Sequence, residues 1–182
     1  MSQPTVIGLD VGFQALGIVV AQGRTILHAT AIRTERTARK RGVRVADDDV
    51  ERCRQLAAGL LEVIRRFRPA GAVAEMPNGG AQGARANRSM GMATAVVATL
   101  LEVEGLPLEA VTPLEVKKAA AGRKDAAKED VQEQVAKRFE WGDHRPRTKA
   151  EWEHVADAAG ALLAAEGGTL MRTLSRIASQ SA

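Results

Sequence analysis

The side chains best suited to chemistry in this sequence are acids that end apolar segments. Asp10 closes the apolar run that begins at Thr5, and Glu75 closes a second run that begins at Ala70. Both runs predict strands, and the first is apolar enough to be buried on both faces of a sheet. An ionised carboxylate at the end of such a strand is unfavourable unless a positive charge compensates it. Asp10 is therefore predicted to have a cationic partner.

A second pair of polar side chains lies near the C-terminus. His154 and Asp157 are three positions apart in a predicted helix, so they project from one face. Their neighbours are mostly alanine, which lets this helix lie close to the sheet. The members of this small-residue group are Ala156, Ala158, Ala159 and Ala161.

Together these side chains predict a divalent cation site. If the strands of Asp10 and Glu75 are parallel neighbours, the two carboxylates lie side by side and repel each other unless a cation sits between them. Three carboxylates suit Mg²⁺ or Mn²⁺, and the imidazole of His154 shifts the preference slightly toward transition metals. Each acid alone also has an ordinary interpretation, because strand ends often meet solvent and His154 with Asp157 could be an exposed helical pair.

The elements that must position these residues follow from the pattern of apolar residues. Short turns join the first three predicted strands, which indicates an antiparallel meander. The strand–helix–strand order that follows is typical of a parallel crossover. The chain is thus predicted to be an α/β protein with a five-stranded mixed sheet flanked by helices. The predicted strands are about 5–11, 16–22, 25–32, 70–75 and 108–111. The predicted helices are about 48–67, 87–104, 113–121, 126–139 and 149–167, and a short helix or a loose end follows Thr169. Asp47, Asp48 and Asp49 are expected at the start of the first helix, and Thr112 and Asp125 are expected to cap the third and fourth.

Composition limits the alternatives. The 182 residues favour one domain, with a core over about 5–166 and a tail over 167–182. The single cysteine, Cys53, rules out an internal disulfide and suits a reducing compartment. No apolar run approaches the ~20 residues that span a bilayer, and the N-terminus does not resemble a secretory signal. We therefore expect a cytoplasmic protein without a membrane partner.

The net charge of +4 is modest, but the basic residues are clustered. One cluster lies in 33–44 and includes Arg39, Lys40 and Arg41, and another lies in 138–149. Lys and Arg displace counterions from phosphates, so such clusters suit a polyanionic partner. Solvated loops are an equally good interpretation of either cluster alone.

Over residues 5–166 the chain resembles the RuvC-type Holliday-junction resolvases, which belong to the RNase H-like nuclease superfamily. The resemblance is carried by four segments, of which the one from Thr112 to Val131 is the most specific. The first segment alone is less specific, because Asp-x-Gly at a strand end also opens actin-like kinases. The segments are Ile7-Gly8-Leu9-Asp10-Val11-Gly12 with Gly17, Val73-Ala74-Glu75, Thr112-Pro113-Leu114-Glu115-Val116-Lys117-Lys118-Ala119 with Gly122 and Lys128, and His154-Val155-Ala156-Asp157-Ala158.

The resemblance implies an RNase H-like fold and a metal-dependent endonuclease acting on four-way DNA junctions in the cytoplasm of a bacterial or phage-infected cell, with an organelle as the alternative. It implies two Mg²⁺ ions per site, with Mn²⁺ as a substitute, and a homodimer that makes two symmetric nicks leaving 5′-phosphate and 3′-hydroxyl ends. The implied metal ligands are Asp10, Glu75, His154 and Asp157. The expected DNA contacts are Lys117, Lys118, Lys128, Arg85, Arg88, Arg39, Lys40 and Arg41.

Two departures and three alternatives accompany this interpretation. Family members have Asp or His at the position of His154, which is a mild departure. Many cellular members carry an aromatic residue shortly after the acid matched by Glu75, whereas this chain has Met76-Pro77-Asn78-Gly79-Gly80, which removes the expected wedge into the junction. The alternatives are a relaxed branched-DNA or flap endonuclease, a non-catalytic nucleic-acid-binding module, and an actin-like phosphotransferase, for which the chain has no room.

Overall fold

A computed structural model describes residues 3–36, 42–76 and 83–180. The elements occur in the predicted order. The strands are β1 (Thr5–Asp10), β2 (Ala15–Gln22), β3 (Thr25–Arg33), β4 (Ala72–Glu75) and β5 (Leu108–Val111). The helices are α1 (Val45–Phe67), α2 (Ala84–Val103), α3 (Pro113–Ala121), α4 (Lys128–Arg138), α5 (Lys149–Ala164) and α6 (Thr169–Gln180).

The five strands form one mixed sheet in the order β3-β2-β1-β4-β5. Strand β1 is antiparallel to β2 and parallel to β4, and β4 is parallel to β5. This arrangement confirms the predicted meander followed by parallel crossovers. The register pairs Asp10 directly with Glu75, at the carboxyl ends of two parallel strands.

Alternation along the strands divides the core between the two faces of the sheet. Val6 and Val73 pack with α3, α4 and α5 on one face, whereas Ile7 and Leu9 pack with α1 and α2 on the other. Because side chains alternate with a period of two, Asp10 continues the face of Val6 and Gly8. Glu75 continues the face of Val73 in the same way. Both acids are therefore directed toward the face that α5 covers.

Helix α5 lies against the sheet at backbone contact distance, and two glycines make this possible. A methyl group built on Gly8 would collide with the carbonyl oxygen of Ala158, and one built on Gly17 would collide with the carbonyl oxygen of His154. No larger residue fits at either position without moving α5. The predicted close approach of an alanine-rich helix is confirmed, with glycines in the sheet as its counterpart.

The helix ends show where local signals were reliable. Thr112 and Glu115 form the predicted capping box of α3, which ends at Gly122 in the left-handed conformation. Helix α5 also begins at Lys149 as predicted, with Thr148 as its N-cap residue. The predicted starts of α1 and α4 differ from the structure. Helix α1 begins at Val45, so Asp47 and Asp48 lie in its first turn as predicted, but the N-cap position is occupied by Arg44 and not by an aspartate. The guanidinium of Arg44 pairs with Asp47. Helix α4 begins after Ala127 and not at Asp125, which has no capping role there.

The C-terminal segment folds as helix α6 and not as a loose end. Leu174 is buried in the same cluster as α5, while Ile177 remains half exposed. Glu109 of β5 accepts a hydrogen bond from the backbone N–H of Leu170 at 2.7 Å, which holds the start of α6 against the edge of the sheet. In the part of the chain that the structure describes, no helix combines the length and apolarity needed to cross a bilayer.

Candidate active site

The structure brings Asp10 and His154 into direct contact. His154 Nδ1 lies 2.8 Å from Asp10 Oδ2, and their side chains are 33% and 20% exposed. Residues 144 positions apart meet here because Gly17, the partner of Asp10 in β2, leaves space for the backbone of α5. Two donors that ligate one small divalent ion in adjacent positions are separated by about 3 Å, since each lies about 2.1 Å from the ion. The observed spacing fits both a hydrogen bond and a shared cation.

Glu75 lies beside this pair and is electrostatically destabilised. Burial raises the pKa of Glu75 to about 7, and the negative charges of Asp157 and Asp10 contribute to this rise, against smaller opposing effects of Lys128 and Lys117. A carboxyl group in such surroundings resists ionisation unless a cation joins it. A divalent cation bound here would neutralise this excess negative charge.

Asp157 completes the group from the next position on the same face of α5. Its carboxylate forms a salt bridge with Lys128, whose Nζ lies 3.0 Å from Asp157 Oδ2. Burial raises the pKa of Asp157, as does the negative charge of Asp10, while the contact with Lys128 opposes the rise. The four predicted ligand side chains therefore lie on one face of the sheet, within electrostatic range of one another.

The donors nevertheless do not form a closed cage. Among the described residues, no group of three or more His, Cys, Asp or Glu side chains stands close enough together to enclose a metal ion as it is. Asp157 is held by an ammonium group, and Asp10 is engaged by an imidazole. The donor set fits Mg²⁺ or Mn²⁺ in its chemistry, and the charge repulsion at Glu75 supports a cation at this position.

The basic residues predicted to contact DNA lie in several places. Lys117 is partly buried and close enough to Glu75 to oppose the rise of its pKa, and Lys118 is exposed beside it. Arg85 is exposed and lines a cleft that reaches His154. Arg88 pairs with the buried Asp49 at 2.7 Å, so its guanidinium also stabilises the fold. The predicted contacts Arg39, Lys40 and Arg41 lie outside the described residues, as does the segment 77–82, where the family aromatic is missing.

Sequence reasoning missed a buried arginine next to this site. Arg52 is 4% exposed, and its guanidinium lies 4.2 Å above the ring of Phe13. It donates hydrogen bonds to the hydroxyl of Thr34 at 2.8 Å and to the carbonyl of Phe13 at 3.2 Å. These contacts fasten the β1–β2 turn, which directly follows Asp10, to helix α1. The only available signal was an arginine flanked by apolar positions of an amphipathic helix.

The fold and the acids together define a class of proteins. Five mixed strands, with carboxylates at the ends of two neighbouring parallel strands under a helix that carries two further donors, are the arrangement of the RNase H-like nucleases. The solved structure of the Thermus thermophilus RuvC in complex with Holliday junction substrate superposes with a TM-score of 0.75 at 27% identity, covering 94% of this chain and 98% of that chain. The yeast mitochondrial Holliday junction resolvase Ydc2, at 15% identity and a TM-score of 0.62, supports the fold alone.

Sequence comparison identifies the family. A family model described as crossover junction endodeoxyribonuclease RuvC matches residues 6–163. The crossover junction endodeoxyribonuclease RuvC of Acidovorax sp. strain JS42 is 30% identical over 178 residues, which cover 95% of this chain and 90% of that protein. The protein of the same name from Thermus thermophilus is 32% identical over 130 residues, covering 69% of this chain and 74% of its own length. The chain belongs to the RuvC family of crossover junction endodeoxyribonucleases, which are metal-dependent nucleases.

Proposed function

We propose that this protein resolves four-way DNA junctions by hydrolysing one phosphodiester bond in each of two strands. The observation that carries the proposal is the pairing of Asp10 with Glu75 across parallel strands, directly beneath the helix that presents His154 and Asp157. In the reaction a water oxygen bonds to phosphorus, the bond to the 3′ oxygen breaks, and a proton goes to that oxygen. The products carry a 5′-phosphate and a 3′-hydroxyl.

Asp10, Glu75, His154 and Asp157 are proposed to hold two Mg²⁺ ions, for which Mn²⁺ can substitute. When bound, such ions supply an activated water and stabilise the leaving oxygen. Asp10 lies at the end of the middle strand, in register with Glu75 and in contact with His154, so it would be a central ligand of this set. Glu75 would serve as a ligand in its ionised form, because a bound cation would offset the burial and the neighbouring negative charges that raise its pKa.

The positive side chains around the acids are proposed to hold the DNA. Lys117 and Lys128 lie within electrostatic range of the carboxylates, and the exposed Lys118 follows Lys117 in α3. Arg85 lines the cleft beside His154 and is positioned for a phosphate of the same strand. Phosphate contacts of this kind position the substrate without reading its sequence.

A homodimer is proposed because a four-way junction has two-fold symmetry and needs two cuts. Two copies related by a two-fold axis present one site to each of two strands. The sequence between Glu75 and Gly83 contains no aromatic residue, so the proposal includes no stacking wedge into the junction. The proposed place of action is the compartment that holds the recombining DNA, which is the cytoplasm of a bacterial or phage-infected cell.

One experiment tests the function. The protein is incubated with labelled four-way junction, Y-fork and linear duplex, in Mg²⁺ or EDTA, beside Asp10→Asn. Symmetric paired nicks near the crossover, abolished by EDTA and by the substitution, support the proposal. Cleavage that persists in Asp10→Asn contradicts the site assignment. Equal cutting of forks and junctions favours the relaxed branched-DNA endonuclease, and binding without cutting favours a non-catalytic module.

A further inference from the structure

The ammonium group of Lys128 occupies a special place in the acidic site. Its contact with Asp157 at 3.0 Å joins the first residue of α4 to the helix that carries two of the proposed ligands. The same ammonium also lies within electrostatic range of Asp10, Glu75 and Glu153. Lys128 therefore supplies, from the protein itself, positive charge at the place where a bound cation would supply it.

The contact is also well suited to exchange. The Lys128 side chain is 50% exposed, and its flexible stem leaves α4 at its first turn. An ion pair whose ammonium group is half exposed to water contributes modest stability, so the lysine can leave it at modest cost in free energy. The Asp157 carboxylate is less exposed, at 21%, so the exchange depends on the freedom of the lysine rather than on that of the acid. A phosphate group that enters the site can replace Asp157 as the anionic partner of Lys128, so the lysine loses one ion pair and gains another.

We infer that Lys128 competes with the metal for Asp157 and yields it when a DNA phosphate arrives, so that binding of DNA and binding of metal reinforce each other. The inference rests on the proposed function, since it takes Asp157 as a ligand. In the DNA-free protein the lysine keeps Asp157 engaged and weakens cation binding. In the complex the lysine pairs with phosphate, and Asp157 becomes free to bind the cation.

The first test measures Mn²⁺ binding without DNA by titration calorimetry. Lys128→Met keeps the apolar stem and removes the charge, and we expect its Kd for Mn²⁺ to be roughly twofold to fivefold lower than that of the wild type, the range expected for losing a weak competing ion pair. Lys128→Arg keeps the charge and is expected to stay near the wild-type value. Lys137→Met is the matched control, because Lys137 lies on the same helix in an exposed pair with Glu133.

The second test measures the coupling itself. Junction affinity is determined by fluorescence anisotropy at zero and at saturating Ca²⁺, with the junction checked on a gel for intactness. Because coupling between two ligands is reciprocal, saturating Ca²⁺ should tighten junction binding by the wild type more than by Lys128→Met. For each protein, the readout is the ratio of its junction affinity at saturating Ca²⁺ to its junction affinity without Ca²⁺. If Lys128→Met only loses a phosphate contact, both of its affinities fall by the same factor and this ratio does not change.

The outcomes separate this inference from the proposed function. If Lys128→Met binds Mn²⁺ no more tightly than the wild type, the competition does not exist and the inference is wrong. Lys128→Gln gives the same comparison should the methionine variant aggregate. If instead the wild type and Asp10→Asn bind Mn²⁺ equally, the metal site itself is misassigned. A wild type that binds Mn²⁺ and cuts junctions, with Lys128→Met unchanged in Mn²⁺ affinity and coupling, overturns only the role of the lysine.

Discussion

Two groups of charged side chains, one buried and one partly buried, lie on opposite faces of the same sheet, and their charges are compensated to different degrees. On the α1 face, Arg52 donates to two oxygen atoms and covers the ring of Phe13, and Asp49 is paired with Arg88. On the α5 face, Glu75 has two carboxylates as neighbours and its pKa is raised to about 7. The first group is balanced within the fold, whereas the second retains excess negative charge.

This difference separates structural charges from charges that await a ligand. Buried charges that stabilise a fold come with partners, since an unpaired one would be expensive. Carboxylates that repel each other weaken the fold and are retained where a cation binds them. Removing a charge on the α1 face should therefore reduce stability, whereas removing one on the α5 face should reduce activity without reducing stability.

The largest expected effect is on catalysis. Glu75→Gln removes a proposed metal ligand while preserving shape, so we expect junction cleavage to fall by about a thousandfold or more, in line with the several kcal/mol that bound metal ions supply. The melting temperature of the metal-free variant should equal or exceed that of the wild type, because a repelled carboxylate has been neutralised. Junction cleavage rates and thermal unfolding in EDTA check the two halves of this prediction.

Glu109→Gln is the matched control for Glu75→Gln. Glu109 lies on the adjacent strand β5, and its carboxylate accepts a hydrogen bond from the start of α6. This variant should keep its cleavage rate and lose a little stability. A Glu75→Gln protein that cuts junctions at the wild-type rate, or that is clearly less stable than Glu109→Gln, would contradict the assignment of Glu75 to the unbalanced group.

The next effect tests how α5 is brought to the acids. In Gly17→Ala the new methyl group meets the carbonyl oxygen of His154, which is backbone and cannot rotate away. We expect a loss of about 3 kcal/mol in the free energy of unfolding, near the upper end for overpacking. Cleavage should fall as well, because His154 moves away from Asp10. Chemical denaturation gives the stability, and Gly91→Ala is the control because a methyl group there has no heavy atom within 4 Å.

Much of this comparison was accessible from the sequence. The continuous apolar run placed Asp10 at the end of a buried strand, and Glu75 was expected beside it if their two strands were parallel neighbours. The spacing of His154 and Asp157 predicted a common helix face. These inferences worked because apolar runs and helical spacing are local features of the sequence.

The compensation of charges could not be predicted in the same way. The partners of Arg52 lie 18 and 39 residues away from it, so only the folded chain brings them together. Lys128 likewise reaches Asp157 from a different helix, and that helix starts later than the cap at Asp125 suggested. The sequence shows Gly17, but it does not show that the backbone of α5 at His154 packs against this glycine. Pairings between distant side chains depend on packing rather than on local pattern.

A moderate effect is expected from the balanced group. Arg52→Met keeps much of the volume but removes two hydrogen bonds and the contact with Phe13, so we expect a loss of about 2 kcal/mol in the free energy of unfolding. Cleavage by the folded fraction should change much less than in Glu75→Gln. Denaturant unfolding and cleavage assays on the same preparation measure both. An Arg52→Met protein as stable as the wild type would remove the contrast between the two faces.

The smallest effect is the pH dependence of stability in the metal-free protein. The folded pKa of Glu75, about 7, is higher than the ordinary value of 4.5, so the folded state binds the proton more tightly than the unfolded state. Stability should therefore decline as the pH rises from about 4.5 to about 7, by on the order of 1 kcal/mol for a partly exposed group, and this contribution should then level off. The raised pKa of Asp157 acts in the same direction. Denaturant unfolding in EDTA across this range measures the decline, and Glu75→Gln should reduce it.

Saturating Mn²⁺ should reverse the dependence of stability on pH, because the cation binds the ionised carboxylates. If the dependence is the same in Mn²⁺ as in EDTA, the metal does not bind at the unbalanced charges on the α5 face.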